Sequence, residues 1–212
     1  MKVLVACEFS GIVRDAFRAR GHDAWSCDIL PCEKGPEFHR QCDIRSLLGE
    51  HPLHRCRPGC HHEPWDLMIA HPPCTYLTVA ANKWTAIRPE RAAKVEEALA
   101  FVRFLMDAPI PRIAIENPVS VISGRIRPPD QTFQPWQFGH GEVKRTCLWL
   151  KNLPPLIPTA EKQMALGVTH KPVTSERSDR LHRMAPGPDR WRERSRTFTG
   201  IAEAMAEQWG AL

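Results

Sequence analysis

With 212 residues, 42% of them hydrophobic and 25% charged, the chain has the size and balance of one globular domain with at most a small appended lobe. That excludes a disordered or fibrous protein. No apolar run approaches the length of a bilayer span, and MKVLVACEF begins as a strand rather than a signal peptide, so the chain reads as a cytoplasmic monomer with no membrane partner. The net charge of +5 is carried by residues 151–197, which hold ten Lys or Arg against five acids, while the rest of the chain is balanced. Positive charge concentrated in one Pro-rich, weakly periodic stretch suits a polyphosphate partner such as double-stranded DNA, although a solvated loop would look similar.

In chain order, KVLVACEF (2–9) is apolar and β-branched and predicts a buried parallel strand. Gly11 follows, then a helix with Ile12, Val13, Ala16 and Phe17 on one face and Gly21 as its stop. DAWSCDI is a second strand ending at Asp28. Strand, glycine turn, helix and acid-terminated strand make up the first unit of a nucleotide-binding α/β sheet. Residues 30–64 read as irregular, and DLMIA (66–70) is a strand running into His71-Pro72-Pro73-Cys74. A long helix is predicted from Pro89 to Asp107, with Ala92, Val95, Leu99, Val102 and Leu105 inward. RIAIE (112–116) and TCLWL (146–150) are further strands, and GIAEAMAEQW (200–209) is a closing helix. The alternation predicts an α/β fold with a mostly parallel sheet covered by helices on both faces. Ligands in such sheets bind beyond the carboxyl ends of the strands, where Glu8–Gly11, Asp28, His71–Cys74 and Glu116-Asn117 all fall.

Two prolines after a strand fix the backbone and present Cys74 at a rigid turn, where a thiolate can act as a nucleophile. A buried structural cysteine is the plainer reading of the same residue. Glu116, at another strand end, can hydrogen-bond a ring nitrogen and donate a proton. Eight cysteines in a reducing compartment would be buried, metal-bound or catalytic rather than disulfide-linked.

The succession Phe9-Ser10-Gly11, Asp28, Cys42-Asp43-Ile44, Asp66 through Pro72-Pro73-Cys74, and Glu116-Asn117 resembles the motifs of DNA cytosine-5 methyltransferases. Lys144-Arg145 is similar to that family's Arg-bearing motif, and TFTGIAEAMA to its last motif. The compact form resembles enzymes encoded by phages and prophages. The resemblance implies a Rossmann-like S-adenosylmethionine-dependent methyltransferase fold, with residues 1–150 and 196–212 catalytic and 151–195 a small basic target-recognition segment. It implies that Phe9, Ser10, Gly11, Asp28, Asp43, Ile44, Pro72 and Gly200 hold S-adenosylmethionine. Cys74 would add to carbon 6 of a flipped cytosine, Glu116 would grip the exocyclic amine and nitrogen 3, and Arg145, or else Lys144, would bind the base oxygen. Arg190-Trp191-Arg192, with Lys144, would touch DNA.

Cys56, Cys60 and His61, among further histidines, could bind a structural zinc, with a polar inserted loop as the alternative. Two other functions stay open: an amino-methyltransferase acting on adenine N6 or cytosine N4, and a non-catalytic methyltransferase-like binding protein. Cys74 in place of an aromatic counts against the first, and the Cys74–Glu116 pair counts against the second.

Overall fold

The computed structural model describes residues 1–49, 64–79, 85, 87–159, 178–187 and 189–212. Among the described residues seven strands form one sheet: β1 (Lys2–Ala6), β2 (Asp23–Asp28), β3 (His39–Gln41), β4 (Leu67–Ala70), β5 (Arg112–Pro118), β6 (Gln131–Phe133) and β7 (Thr146–Lys151). Their order across the sheet is β3-β2-β1-β4-β5-β7-β6. The pairs from β3 through β5 are parallel, and β7 runs antiparallel to both of its neighbours. This is a doubly wound, Rossmann-like α/β fold, and the chain order reverses direction on either side of β1, beside β4.

Alternation along the strands divides the core in two. Val3, Val5, Leu67, Ile69 and Ala114 face α1 (Ile12–Arg18) and the closing helix (Thr199–Trp209), which contribute Val13, Phe17, Ile201, Met205 and Trp209. Leu4, Ala6, Met68, Ala70, Ile113 and Ile115 face the long helix (Glu90–Met106) through Val95, Leu99, Val102 and Leu105. Ala92 was expected on that face but is exposed, one turn ahead of the stretch that meets the sheet. Trp149 is core, as its place within TCLWL predicts.

Between β2 and β4, where irregular chain is expected, lie β3 and the short α2 (Ile44–Leu48), capped by Asp43. After β2 the backbone is knitted to β3 by Cys42 N–H donating to the Asp28 carbonyl. Numbering the remaining helices in chain order, α3 is the long helix, α4 is Ile122–Arg125, α5 Arg180–Arg183, α6 Arg190–Ser195 and α7 the closing helix. Among the described residues no helix is long and apolar enough to cross a membrane.

Within the segment expected to read the target, residues 160–177 lie outside the described residues. Its flanks pack on the body. Leu153 and Leu156 join the α1/α7 core, and the Trp209 indole donates to the Pro154 carbonyl. Ser178 N–H donates to the Gly141 carbonyl, the Ser178 carbonyl accepts from Val143 N–H, and Arg180 pairs with Glu142 at 2.8 Å.

Candidate active site

The site is assembled from the turns that leave β1, β2, β4 and β5. Cys7, directly after β1, has φ 58, a left-handed conformation that costs a side-chain-bearing residue about 1 kcal/mol. It is followed by the buried Glu8, whose Oε1 accepts from Val13 N–H at 2.7 Å and whose Oε2 accepts from Arg14 N–H at 3.3 Å. Glu8 thereby satisfies two of the amide groups left open at the start of α1. Burial raises its carboxyl above the usual range in spite of those bonds. Ser10 donates to Glu8 and accepts from Ile12 N–H, and Gly11 takes φ 70 at the helix cap.

Arg14 fills the space beneath this glycine turn. Its guanidinium is buried and donates to Asp15, Ser26, Cys32 and the Glu37 carbonyl, fastening the loop after β2 to α1. A Cβ on Gly11 would lie 2.6 Å from Arg14 Nη2. Phe9 is buried, and its ring lies 5.6 Å from that of Trp191, which is 48% exposed. Asp28 ends β2, accepts from Leu30 N–H at 2.9 Å, and is held above its usual range by burial. Asp43 caps α2 through Arg45 N–H, while Ile44 points into the α3 core. Phe9, Ser10, Gly11 and Asp28 are therefore grouped at one end of the sheet. Asp43 follows on the next strand end.

Pro72 is buried, and its carbonyl accepts from Asn117 Nδ2 at 2.9 Å, so β5 braces the Pro-Pro turn of β4. His71 N–H donates to the Ala6 carbonyl, and the Cys74 carbonyl accepts from Leu77 and Thr78 N–H. Cys74 is half-buried. Burial raises its thiol above the ordinary value; Lys144 lowers it, Glu116 raises it further and Arg194 lowers it. Burial alone would also raise Glu116, but the hydrogen bond to His71 and the Lys144 ammonium overcome it and leave the carboxyl below the usual range. At neutral pH the pair rests as a thiol beside a carboxylate.

His71 matters here although the sequence reading gave it no role. His71 Nδ1 lies 2.8 Å from Glu116 Oε2, with both side chains close to nine-tenths buried. The only signal for His71 in the sequence was its place next to Pro-Pro. Lys144, rather than Arg145, is the cation that acts on both Cys74 and Glu116; its Nζ also donates to the Arg194 carbonyl at 2.8 Å. Arg145 is exposed and acts on Cys147.

The chain from 189 to 200 covers this end of the sheet. Arg196 bonds Glu33 at 2.8 and 3.0 Å, Trp191 meets Phe9, and Arg192 lies over the Trp191 ring. Arg190 is half-buried at the start of α6. Gly200 N–H donates to His140 Nε2 at 2.9 Å, and a Cβ at Gly200 would sit 2.0 Å from the Phe138 carbonyl oxygen, so it is packed against the His140 side chain and the Phe138 backbone. A cleft of about 210 Å³ lined by Ile12, His140, Leu181, Glu193 and Phe198, among others, lies beside the start of α1; neither Cys74 nor Glu116 lines it.

Cys56, Cys60 and His61 lie outside the described residues, and among the described residues no cluster of three metal-ligating side chains occurs. Cys32, His39 and Cys42 are engaged separately with Arg14, Ser26 and Cys27. None of the six described cysteines is in a disulfide.

No family model matches the chain, and no curated protein matches it. Among solved structures it is similar to one described as a candidate DNA modification methyltransferase encoded within an E. coli prophage, with 15% identity and a TM-score of 0.41. The match covers 71% of this chain and 46% of that one, so the chain corresponds to about half of its structural neighbour. The fold assignment rests on the strand order and direction, not on this likeness.

Proposed function

We propose that the chain is an S-adenosylmethionine-dependent DNA methyltransferase that modifies carbon 5 of cytosine through a covalent bond to Cys74. The observation that carries the reading is the coupling of Cys74 and Glu116 at neighbouring strand ends, one a thiol and the other a buried carboxylate, with Lys144 acting on both. An amino-methyltransferase needs no thiol at this turn, and a binding protein needs neither group.

The donor fits the other side of the same strand ends. Phe9 offers an apolar ring beside a glycine in the left-handed region, and Asp28 a half-buried carboxyl able to accept from hydroxyls. S-adenosylmethionine, when bound, supplies the methyl group as an electrophilic sulfonium. Phe9, Gly11, Asp28 and Asp43 would hold it, with Trp191 covering Phe9.

On the base, the Cys74 sulfur bonds to carbon 6 while its proton passes to the Glu116 carboxylate. Electron density moves from the 5,6 double bond into the ring, and Glu116 returns the proton to nitrogen 3, leaving an enamine that is nucleophilic at carbon 5. Once carbon 5 carries the methyl group, loss of its hydrogen as a proton expels the sulfur as a thiolate, and the proton on nitrogen 3 returns through Glu116 to that sulfur, restoring the base and the thiol. Lys144 steadies the developing negative charge, and it takes the base oxygen that the resemblance gave first to Arg145. Basic residues 190–196 and the rest of the 151–195 segment supply phosphate contacts.

The test is duplex DNA containing 5-fluorocytosine, incubated with protein and S-adenosylmethionine and run on a denaturing gel. Because fluorine cannot leave as a cation, the adduct accumulates; it is expected with the wild type and absent with Cys74→Ala. Methyl transfer to ordinary DNA that survives Cys74→Ala would refute the covalent route and favour transfer to an amine.

A further inference from the structure

The ends of β2 and β3 bring two sulfurs together on the face of the sheet that packs against α3. Cys27 Sγ lies 3.8 Å from Cys42 Sγ and 3.3 Å from the Cys42 carbonyl oxygen. Cys27 is wholly buried and Cys42 half-buried, so a small solute reaches the pair from the Cys42 side. The Cys27 thiol donates toward Cys42 and holds the Cys42 thiol below its ordinary value against the opposing effect of burial. Cys27 is itself raised by the same bond and by burial. Cys42 is thus the sulfur that ionises first, and a thiolate is the form an oxidant attacks.

A disulfide needs its sulfurs about 2.05 Å apart, so closing the pair draws them together by roughly 1.8 Å. The two sides do not yield equally. Cys27 stands opposite Ala6 of the interior strand β1, and its carbonyl accepts from Glu8 N–H. Cys42 follows the three-residue edge strand β3. The movement therefore falls on Cys42 and on Asp43, whose side chain caps α2 through Arg45 N–H.

We infer that Cys27 and Cys42 form a redox-sensitive pair: a peroxide closes them to a disulfide, which draws Asp43 away from the donor it would hold and lowers the affinity for S-adenosylmethionine. The Cys42 thiolate attacks one peroxide oxygen; the O–O bond breaks, hydroxide leaves and takes up a proton as water, and Cys42 becomes a sulfenic acid. The Cys27 sulfur then bonds to the Cys42 sulfur, the S–O bond breaks, and the leaving hydroxide carries off the Cys27 proton as a second water. The sulfurs lose two electrons, the peroxide gains them, and a dithiol reverses the change. The effect on the donor rests on the cofactor reading above; the cross-link does not.

The experiment treats the full chain with hydrogen peroxide, blocks the remaining thiols with an alkylating agent and digests the product with trypsin. Cleavage after Lys34 and Arg40 leaves Cys27 and Cys42 on separate peptides, so a joined pair marks the disulfide, and tandem fragmentation distinguishes Cys27 from Cys32. S-adenosylmethionine binding is then measured by calorimetry rather than turnover, because oxidation of Cys74 would stop methyl transfer by itself. Oxidised wild type is expected to bind about fivefold more weakly, the equivalent of one hydrogen bond, and to recover with dithiothreitol. Cys42→Ser should bind alike with and without peroxide, and Cys42→Ala takes its place if that variant folds poorly. No joined peptide overturns the pair, and a joined peptide with unchanged binding overturns the switch. Binding that falls on oxidation in the variant as much as in wild type refutes the switch too. Reduced wild type that binds no S-adenosylmethionine overturns the donor reading and the switch with it, while the peptide still reports on the pair.

Discussion

Replacing Gly200 by alanine separates a packing role for this residue from a cofactor role. In the middle of an exposed helix the change would stabilise the protein by up to about 1 kcal/mol, because alanine is the better helix former. Here the added Cβ would lie 2.0 Å from the Phe138 carbonyl oxygen, more than 1 Å inside ordinary contact, and 3.1 Å from His140 Nε2. Since the obstructing atom is backbone, the first turn of α7 must withdraw, which strains the core by about 1–3 kcal/mol. Withdrawal also stretches the 2.9 Å bond from Gly200 N–H to His140, a further loss of about 1 kcal/mol. The net expectation is destabilisation by about 2 kcal/mol, or a fall in Tm of about 4–8 °C for a chain of this size. Gly124 in α4 is the control: nothing lies within 4 Å of its added Cβ, so Gly124→Ala should melt at or slightly above the wild-type temperature. Both variants are followed by circular dichroism during heating, and S-adenosylmethionine binding is measured well below the transition. A Gly200→Ala protein melting with the wild type would refute the steric argument, and weakened cofactor binding at unchanged Tm would return Gly200 to the cofactor site.

Two further outcomes follow from the electrostatics. Lys144 lowers the Cys74 thiol, so Lys144→Met should move the midpoint of Cys74 alkylation, followed by peptide mass spectrometry, to higher pH; an unchanged or lower midpoint would contradict its placement. Burial raises Asp130, but the Leu150 N–H at 2.6 Å and Arg127 at 2.7 Å outweigh it and leave the folded-state value depressed. Its stabilising contribution is therefore present above the unfolded aspartate value of about 4 and fades as pH falls through the folded value. Urea midpoints of Asp130→Asn and wild type should differ at pH 7 and converge toward pH 3; with Asp130 38% exposed the gap is small.

Much of the fold could be read along the chain because strands buried on both sides are written as continuous apolar runs. KVLVA, LMIA and TCLWL carry no other plausible signal. The elements that escaped, HRQ in β3 and QTF in β6, have three residues each, too few to establish a period. The reversed direction of β7 was invisible for a different reason: TCLWL reads alike both ways, and the connection from β6 decides the direction. At the site, Pro72-Pro73-Cys74 and Glu116 announced themselves by residue type. The bond between His71 and Glu116 did not, since 45 residues separate the partners and only the β4–β5 register joins them. Which of the neighbours Lys144 and Arg145 turns inward is settled by a half-turn of backbone that no composition encodes.

Helix α7 covers elements made long before it, β1 and α1. Trp209 and Met205 of α7 are wholly buried against Val13 and Phe17 of α1 and the strands beneath them. During synthesis the nascent β1–α1 unit must therefore wait, with an oily flank uncovered, until the α7 segment has also left the ribosome. A ribosome stalling near residue 198 would release a product able to lay down the parallel strands and unable to close over them, prone to clump with its own kind.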